Sequence, residues 1–258
     1  MLLCIDIGNT NIKFGLFAGE EIRYHWRIAT DRTRLADEYA MLLFNLFDSA
    51  GIKPGEMTGC AISSVVPVLT QVFEEMVARY FTCEPLILNL SIDTGVQVRT
   101  DYPEEVGADL IANAVGAKAL YGTPAIVVGF GTATTFSAIS NEGNFEGVAI
   151  APGVITSSES LFRAAAALPQ IALQRPPVAV GKNTIRSLQA GIVFGFAALV
   201  EGLVERIQAE LGGNAHVVAT GGLAHLISGE TRVIQHVEPN LTLIGLRLIY
   251  ERNRSRGC

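Results

Sequence analysis

Leu2-Leu3-Cys4-Ile5-Asp6-Ile7-Gly8-Asn9-Thr10-Asn11-Ile12-Lys13 decides how the rest of this 258-residue chain is read. Leu2–Ile7 is a short apolar run and reads as a strand. Gly8-Asn9-Thr10 closes it as a tight turn, and Ile12–Phe17 reads as a second strand folding back. Such a strand–turn–strand unit can grip phosphate. Gly8 permits a turn whose backbone N–H groups converge on one point as an anion nest. Asn9, Thr10 and Asn11 add neutral donors, and Lys13 adds a positive charge within reach. Asp6 cannot hold phosphate itself, so its natural role is to orient a cation or its waters. A plain β-hairpin with Asx-turn residues would use the same letters.

The pattern returns at mid-chain, and that tips the balance toward phosphate. Ala125–Phe130 is apolar, Gly131-Thr132-Ala133-Thr134-Thr135 is the turn, and Phe136–Ser140 is the returning strand. Asp6-Ile7-Gly8-Asn9-Thr10 and Gly129-Phe130-Gly131-Thr132-Ala133 share one spacing almost half a chain apart, as a duplicated domain would. Two phosphate turns facing each other across a cleft are what a nucleoside triphosphate needs.

Outward from these turns, Ile22–Ala29 reads as a third strand and Leu35–Ala50 as a helix with Tyr39, Leu42, Leu43, Leu46 and Phe47 on one stripe. Gly59–Val66 is a strand, Pro67 opens a helix through Tyr80, and Pro85–Leu90 is a strand, giving β-β-β-α-β-α-β. Gly107–Leu120 is helical. The second half continues with a strand and turn at Gly147–Gly153, a helix near Ser158–Ala167 and a Pro-rich loop, Leu168–Val180. A long helix, Thr184–Leu211, follows, with Gly191, Gly195 and Gly202 placed for close helix packing. The strand His216–Thr220 ends at Gly221-Gly222, and Asn240–Glu251 is the closing helix. The expected organisation is an α/β chain with halves at 2–118 and 119–251 and a basic tail, 252–258.

Composition narrows the function. Lys plus Arg number 19 against 25 Asp plus Glu, a net charge of −6, which argues against a nucleic-acid binder. Hydrophobic residues make up 49% and charged residues 17%, which excludes a disordered chain. Cys4, Cys60, Cys83 and Cys258 have no metal or redox spacing, and the four histidines have no ligand spacing. The N-terminus reaches Asp6 too soon for a signal peptide, and no apolar run matches a membrane span. These features point to a soluble, reduced, cytoplasmic protein with no membrane partner.

A further candidate is Asp109. A carboxylate at the start of a helix, just after Gly107-Ala108, can sit close to a substrate and accept a hydroxyl proton, which phosphoryl transfer to an alcohol requires. A helix-capping Asp is the structural alternative.

Taken together, Asp6-Ile7-Gly8-Asn9-Thr10-Asn11, Tyr102-Pro103, Gly107-Ala108-Asp109, Gly131-Thr132-Ala133-Thr134-Thr135 and Gly221-Gly222 stand in the order and spacing of type III pantothenate kinases, relatives of the Bvg accessory factors. The resemblance runs from Leu2 to about Glu251. It implies the actin-like, hexokinase-like ATPase fold, made of two duplicated RNase H-like halves. It implies an ATP- and Mg²⁺-dependent transferase that phosphorylates pantothenate to 4'-phosphopantothenate, the first step of coenzyme A biosynthesis, as a homodimer with its site at the interface. On that likeness Asp6, Ile7, Gly8, Asn9, Thr10, Asn11, Ile12 and Lys13 hold ATP phosphates, Asp6 also serving Mg²⁺. Thr132 meets them from the other turn, and Gly221 and Gly222 lie by the adenosine. Tyr102, Gly107, Ala108, Asp109 and Leu110 contact pantothenate, Asp109 is the general base, and Thr184 reaches the partner subunit's substrate.

Two positions depart from the family's pattern. Leu110 stands where the family has an Arg that helps grip substrate, and a lost charge-assisted contact is worth about 1.5–3 kcal/mol. Gly129 stands where the family has an Asp that helps hold a monovalent cation, K⁺ or NH₄⁺, so any such dependence is expected to be altered. These departures define the alternative reading: a catalytically impaired ligand-binding or regulatory relative.

Overall fold

The computed structural model describes residues 1–81, 83–165 and 168–254. Strand β1 (Leu2–Ile7) has every residue from Leu3 to Ile7 buried, as its near-continuous apolar run requires. β2 (Asn11–Ala18) pairs antiparallel to it, and β3 (Glu21–Ala29) pairs antiparallel to β2. After helix α1 (Ala36–Ser49), β4 (Gly59–Ser64) lies parallel to β1. Helix α2 (Pro67–Tyr80) then leads to β5 (Pro85–Ile87), parallel to β4. The first sheet therefore runs β3-β2-β1-β4-β5.

Helix α3 (Ala108–Tyr121) leads to β6 (Ala125–Phe130), β7 (Ala133–Ile139) and β8 (Phe145–Pro152). Helices α4 (Val154–Ala164) and α5 (Thr184–Glu210) come next, then β9 (His216–Gly221), the short helix α6 (Ala224–Ser228) and β10 (His236–Val237). Helix α7 (Leu241–Arg254) closes the described chain. The second sheet, read from β8, runs β8-β7-β6-β9-β10 with the same strand directions as the first. Each sheet is RNase H-like, and the duplication is that of the actin-like, hexokinase-like ATPase fold.

The chain forms two units. One contains Met1–Val96, Asp101–Gly116 and α7; the other contains Gln97–Thr100 and Ala117–Asn240. The expected halves placed the closing helix with the second sheet, but α7 packs on β1 and β4. Chain order alone carries no signal for this. Close approach of backbones does: a Cβ at Gly245 would overlap the carbonyl oxygen of Ala112 in α3, and Thr242 Oγ1 donates to Asn113 Oδ1 at 2.8 Å. Helix α7 thereby braces α3, the helix that begins beside Asp109.

Opposite that pair, α1 and α2 cover the other face of the first sheet. Tyr39, Leu43, Phe47, Phe73 and Met76 pack there with Leu3, Ile5 and Phe14. Each such side chain contributes roughly 1.5–3 kcal/mol of burial. Trp26 is only partly buried on edge strand β3, stacked on Tyr24 at 5.6 Å between ring centres. In the second unit α5 supplies Ile192, Val193, Ala197, Val200 and Val204 to a cluster with Ile126, Val128 and Phe130. Helix α5 is long and apolar enough to cross a membrane by composition, and one face of it packs into the core of its unit. Gly191, Gly195 and Gly202 face open space within the chain, so nothing in this chain's own packing demands glycine there.

The boundaries differ from expectation in a few places. Helix α4 starts four residues early, at Val154, and ends at Ala164; the expected end, Ala167, lies outside the described residues. The strand expected at Pro85–Leu90 pairs only over Pro85–Ile87. Arg252–Arg254, expected in the tail, are helical, and Arg252 Nε meets Asp93 Oδ2 at 3.0 Å; residues 255–258 lie outside the described chain. Cys4 and Cys60 are buried as small hydrophobes.

Candidate active site

In the first unit Asp6 is the penultimate residue of β1 and only 7% exposed. The register sets its neighbours: Lys13 on β2 and Ser63 on β4. Paired residues share a face of the sheet, and Lys13 Nζ stands 3.7 Å from Asp6 Oδ2. Ser63 is fully buried; its hydroxyl lies outside hydrogen-bonding geometry but near enough to favour the charged carboxylate. Burial pushes the Asp6 carboxyl up to about 6, Lys13 opposes that, and Asp109 adds to it.

Asp109 occupies the first turn of α3. Its Oδ1 accepts from the Leu110 N–H at 2.9 Å, as a capping carboxylate does. Its hydrogen bonds go to the main chain of its own helix, and Lys13 and Asp6 reach it through charge alone. Burial raises its carboxyl above the usual range, while the Leu110 N–H and Lys13 pull it back. Gly107 has a steric reason here: a Cβ would come 2.6 Å from Asp109 Oδ1 and 3.4 Å from Val65 Cγ1. The structure thus places Asp6 and Lys13 in contact, with Asp109 close enough for their charges to be felt and Gly107 making room for its carboxylate.

The turn between β1 and β2 departs from the expected nest in one respect. The Gly8 N–H donates to the Asn11 carbonyl at 3.0 Å, so it closes the turn instead of facing outward. Asn9 and Thr10 form the exposed tip, and Ile7, Asn11 and Ile12 are strand residues that fix its ends. The segment after β3 straps this turn. Thr30 Oγ1 donates to the Gly8 carbonyl at 2.7 Å, Thr30 N–H to the Thr10 carbonyl at 3.0 Å, and Arg32 Nη2 to Asn9 Oδ1 at 2.8 Å. Sequence reasoning missed Thr30 and Arg32, because their tie to the turn runs through the strand register and not through sequence spacing.

A cavity of about 800 Å³ adjoins Asp109 in the same unit, lined by Val65, Leu88, Asn89, Glu105, Gly107 and Ala108 among others. Tyr102, at the head of the Pro103–Glu105 turn, is 62% exposed. Leu110, next to Asp109, is half-buried.

In the second unit Gly129 sits on β6 where Asp6 sits on β1. Its register neighbours are Thr135 on β7 and Thr220 on β9. A Cβ at 129 would lie 2.6 Å from Thr135 Oγ1. Thr132 is exposed in the turn, and its carbonyl accepts from Thr156 Oγ1 at 2.9 Å. Gly221 ends β9 beside Phe130 with φ of +98°, a conformation L side chains avoid, and Gly222 follows it. Thr184 opens α5 and is exposed, while Asn183 Oδ1 caps that helix by accepting from the Arg186 N–H.

The donor sets differ in what they could hold. Asp6 and Asp109 are acidic oxygens in a poorly solvated place, each raised by burial, which suits a divalent cation such as Mg²⁺. Among the described residues no group of three or more His, Cys, Asp or Glu forms a closed metal site. The surroundings of Gly129 do not fit a monovalent cation held by a carboxylate: Gly129 has no side chain, and its register neighbours are neutral threonines.

Residues 2–206 match the family model for type III pantothenate kinase. A type III pantothenate kinase of Roseiflexus sp. (strain RS-1) is 57% identical over 255 residues, covering 99% of this chain and 100% of that one. Another, from Moorella thermoacetica, is 53% identical over 253 residues, covering 98% and 100%. Among solved structures, a Baf family protein from Campylobacter jejuni has a TM-score of 0.62 at 18% identity, covering 98% of this chain and 99% of that one. Component A of the (R)-2-hydroxyglutaryl-CoA dehydratase of Acidaminococcus fermentans has a TM-score of 0.57 at 16% identity, covering 99% and 98%. At such identities the structural likeness bears on the fold alone, and it agrees with the duplicated sheets. The chain belongs to the type III pantothenate kinase family.

Proposed function

We propose that this chain transfers the γ-phosphoryl group of ATP to the hydroxyl of pantothenate, giving 4'-phosphopantothenate and ADP, the opening step of coenzyme A biosynthesis. The observation that carries this is the grouping of Asp6, Lys13 and Asp109 around the end of β1 and the start of α3. The acceptor oxygen attacks the γ-phosphorus, the bond to the β-phosphate oxygen breaks, and the hydroxyl proton passes to Asp109. A carboxylate raised toward neutral pH is the better base for an alcohol, as long as it stays ionised. Lys13 and the Asn9–Thr10 tip hold the triphosphate from the first unit. Mg²⁺, when bound, neutralises charge on the phosphates, and Asp6 would orient it.

Other contacts follow the family likeness. In the second unit Thr132 meets phosphate and Gly221-Gly222 meet the adenosine. The acceptor lies by Tyr102 and Gly107 to Leu110, its tail reaching into the cavity beside Ala108. The enzyme works in the cytoplasm as a homodimer, with Thr184 of one protomer meeting its partner's acceptor. With Gly129 in place of Asp, a K⁺ or NH₄⁺ requirement is weak or absent. Leu110 and Gly129 motivate the impaired reading, but Asp6, Lys13 and Asp109 are all in place for chemistry.

A coupled ADP-release assay with pantothenate, run with and without K⁺, tests the proposal. kcat/KM should fall as pH drops through about 6, where Asp6 of the free protein takes up a proton. No turnover at millimolar ATP, against a working control enzyme, rejects the kinase reading.

A further inference from the structure

Arg32 lies outside every motif by which the sequence was read. Its guanidinium Nη2 donates to Asn9 Oδ1 at 2.8 Å, at the tip of the β1–β2 turn. An Asn amide has an oxygen face and an NH₂ face, and rotation by half a turn exchanges them. Guanidinium carries donors only, so it accepts just one of those orientations: oxygen toward Arg32, NH₂ away. The turn itself is held by Thr30, which ties down the carbonyls of Gly8 and Thr10.

We infer that Arg32 is a positioning residue for nucleotide binding: it locks the Asn9 side chain so that its Nδ2 donor faces the triphosphate. This rests on the kinase reading above. It adds a residue, and a reason for the neutral Asn9, that the phosphate motif alone does not contain. Both side chains are exposed, and exposed polar contacts contribute little to stability. The contact therefore has little reason to exist for the fold, while a preset donor removes an orientation cost from binding.

The test is a double-mutant cycle on Asn9 and Arg32, read by calorimetric affinity for a non-hydrolysable ATP analogue and by KM for ATP. R32A should weaken analogue binding about tenfold. In an N9A background the same change should cost about twofold or less, since there is no amide left to orient. R32K, which keeps a donor to Oδ1, should recover part of the loss. The melting temperature of R32A should stay within about 2 °C of the wild type. Equal losses from R32A with and without Asn9 would overturn the inference, because Arg32 would then act as a bare charge. A large drop in melting temperature would also overturn it, in favour of a structural role. If the unmodified protein binds no analogue at all, the kinase reading itself fails, and the inference with it.

Discussion

The same position in the two duplicated sheets carries opposite chemistry. Asp6 and Gly129 each precede a turn glycine by two residues, and each is flanked by one antiparallel and one parallel neighbour. In the first unit the trio is Asp6, Lys13 and Ser63; in the second it is Gly129, Thr135 and Thr220. Both parallel neighbours carry a buried hydroxyl with no hydrogen-bond partner. The backbone duplication is thus kept while the charge is confined to one copy. A fold that repeats a turn does not have to repeat its chemistry, and here the charged copy is the one with Asp109 beside it.

The sharpest way to break this contrast is to remove Asp109. D109N should lower kcat by about a thousandfold, since a positioned base contributes roughly 10²–10⁴. Binding of the ATP analogue should persist. If D109N keeps more than about a tenth of wild-type kcat, Asp109 is a helix cap and the charged copy has no base.

Second in size is D6N, which should lower kcat/KM by about a hundredfold and yet stabilise the fold. Asp6 is raised from 3.8 to about 6 in the folded state, so its charged form is disfavoured by folding. Between those values the folded protein binds more protons than the unfolded one, and stability falls as pH rises through the window. Asn carries no such penalty. The gain from D6N, about 1–2 kcal/mol after allowing for the lost Lys13 pair, should be full above pH 6 and vanish near pH 4. Thermal unfolding at several pH values checks this. A stabilisation independent of pH would show that Asp6 is not strained by its burial.

Much of this contrast was legible in the sequence. Two apolar runs ending in the same turn spacing gave the duplicated sheets, because strand period and turn glycines are local properties. Asp6, Lys13 and Asp109 were also legible as candidates. What was hidden depended on register and on packing at a distance. Arg32 reaches Asn9 only because β3 folds back beside β2. Helix α7 belongs with the first sheet because Gly245 lets it touch the backbone of Ala112, a fit that no spacing announces. The Gly8 N–H looked like a phosphate donor by composition, yet the turn uses it internally. The short elements α6 and β10 left no periodic signal over their few residues.

Installing the missing charge tests the second copy. G129D should bring a carboxylate against Thr135, with no lysine beside it. A half-buried carboxylate with no cationic partner should cost about 1 kcal/mol in the absence of added cation, with Thr135 turning aside to admit it. KCl should restore part of that loss, and should strengthen ATP-analogue binding in G129D far more than in the wild type. A wild type whose nucleotide affinity already rises tenfold with K⁺ would erase the distinction between the two copies.

The smallest effects come from the two lone hydroxyls, and they should differ in kind. T220V replaces a buried hydroxyl by a methyl of similar shape beside an uncharged position. It removes an unsatisfied donor, so it should stabilise by about 0.5–1 kcal/mol and leave the pH dependence of turnover where it was. S63A removes a hydroxyl that favours ionised Asp6. The Asp6 carboxyl should then rise further, and the acid limb of the rate profile should move to higher pH. The logic is that an identical group, in an identical place on the sheet, matters to proton affinity only where there is a proton to hold. Rate profiles of the two variants measured side by side decide it. If T220V shifts the limb as S63A does, the second copy is electrostatically tied to the Asp6 carboxyl, and the division of labour between the sheets is wrong.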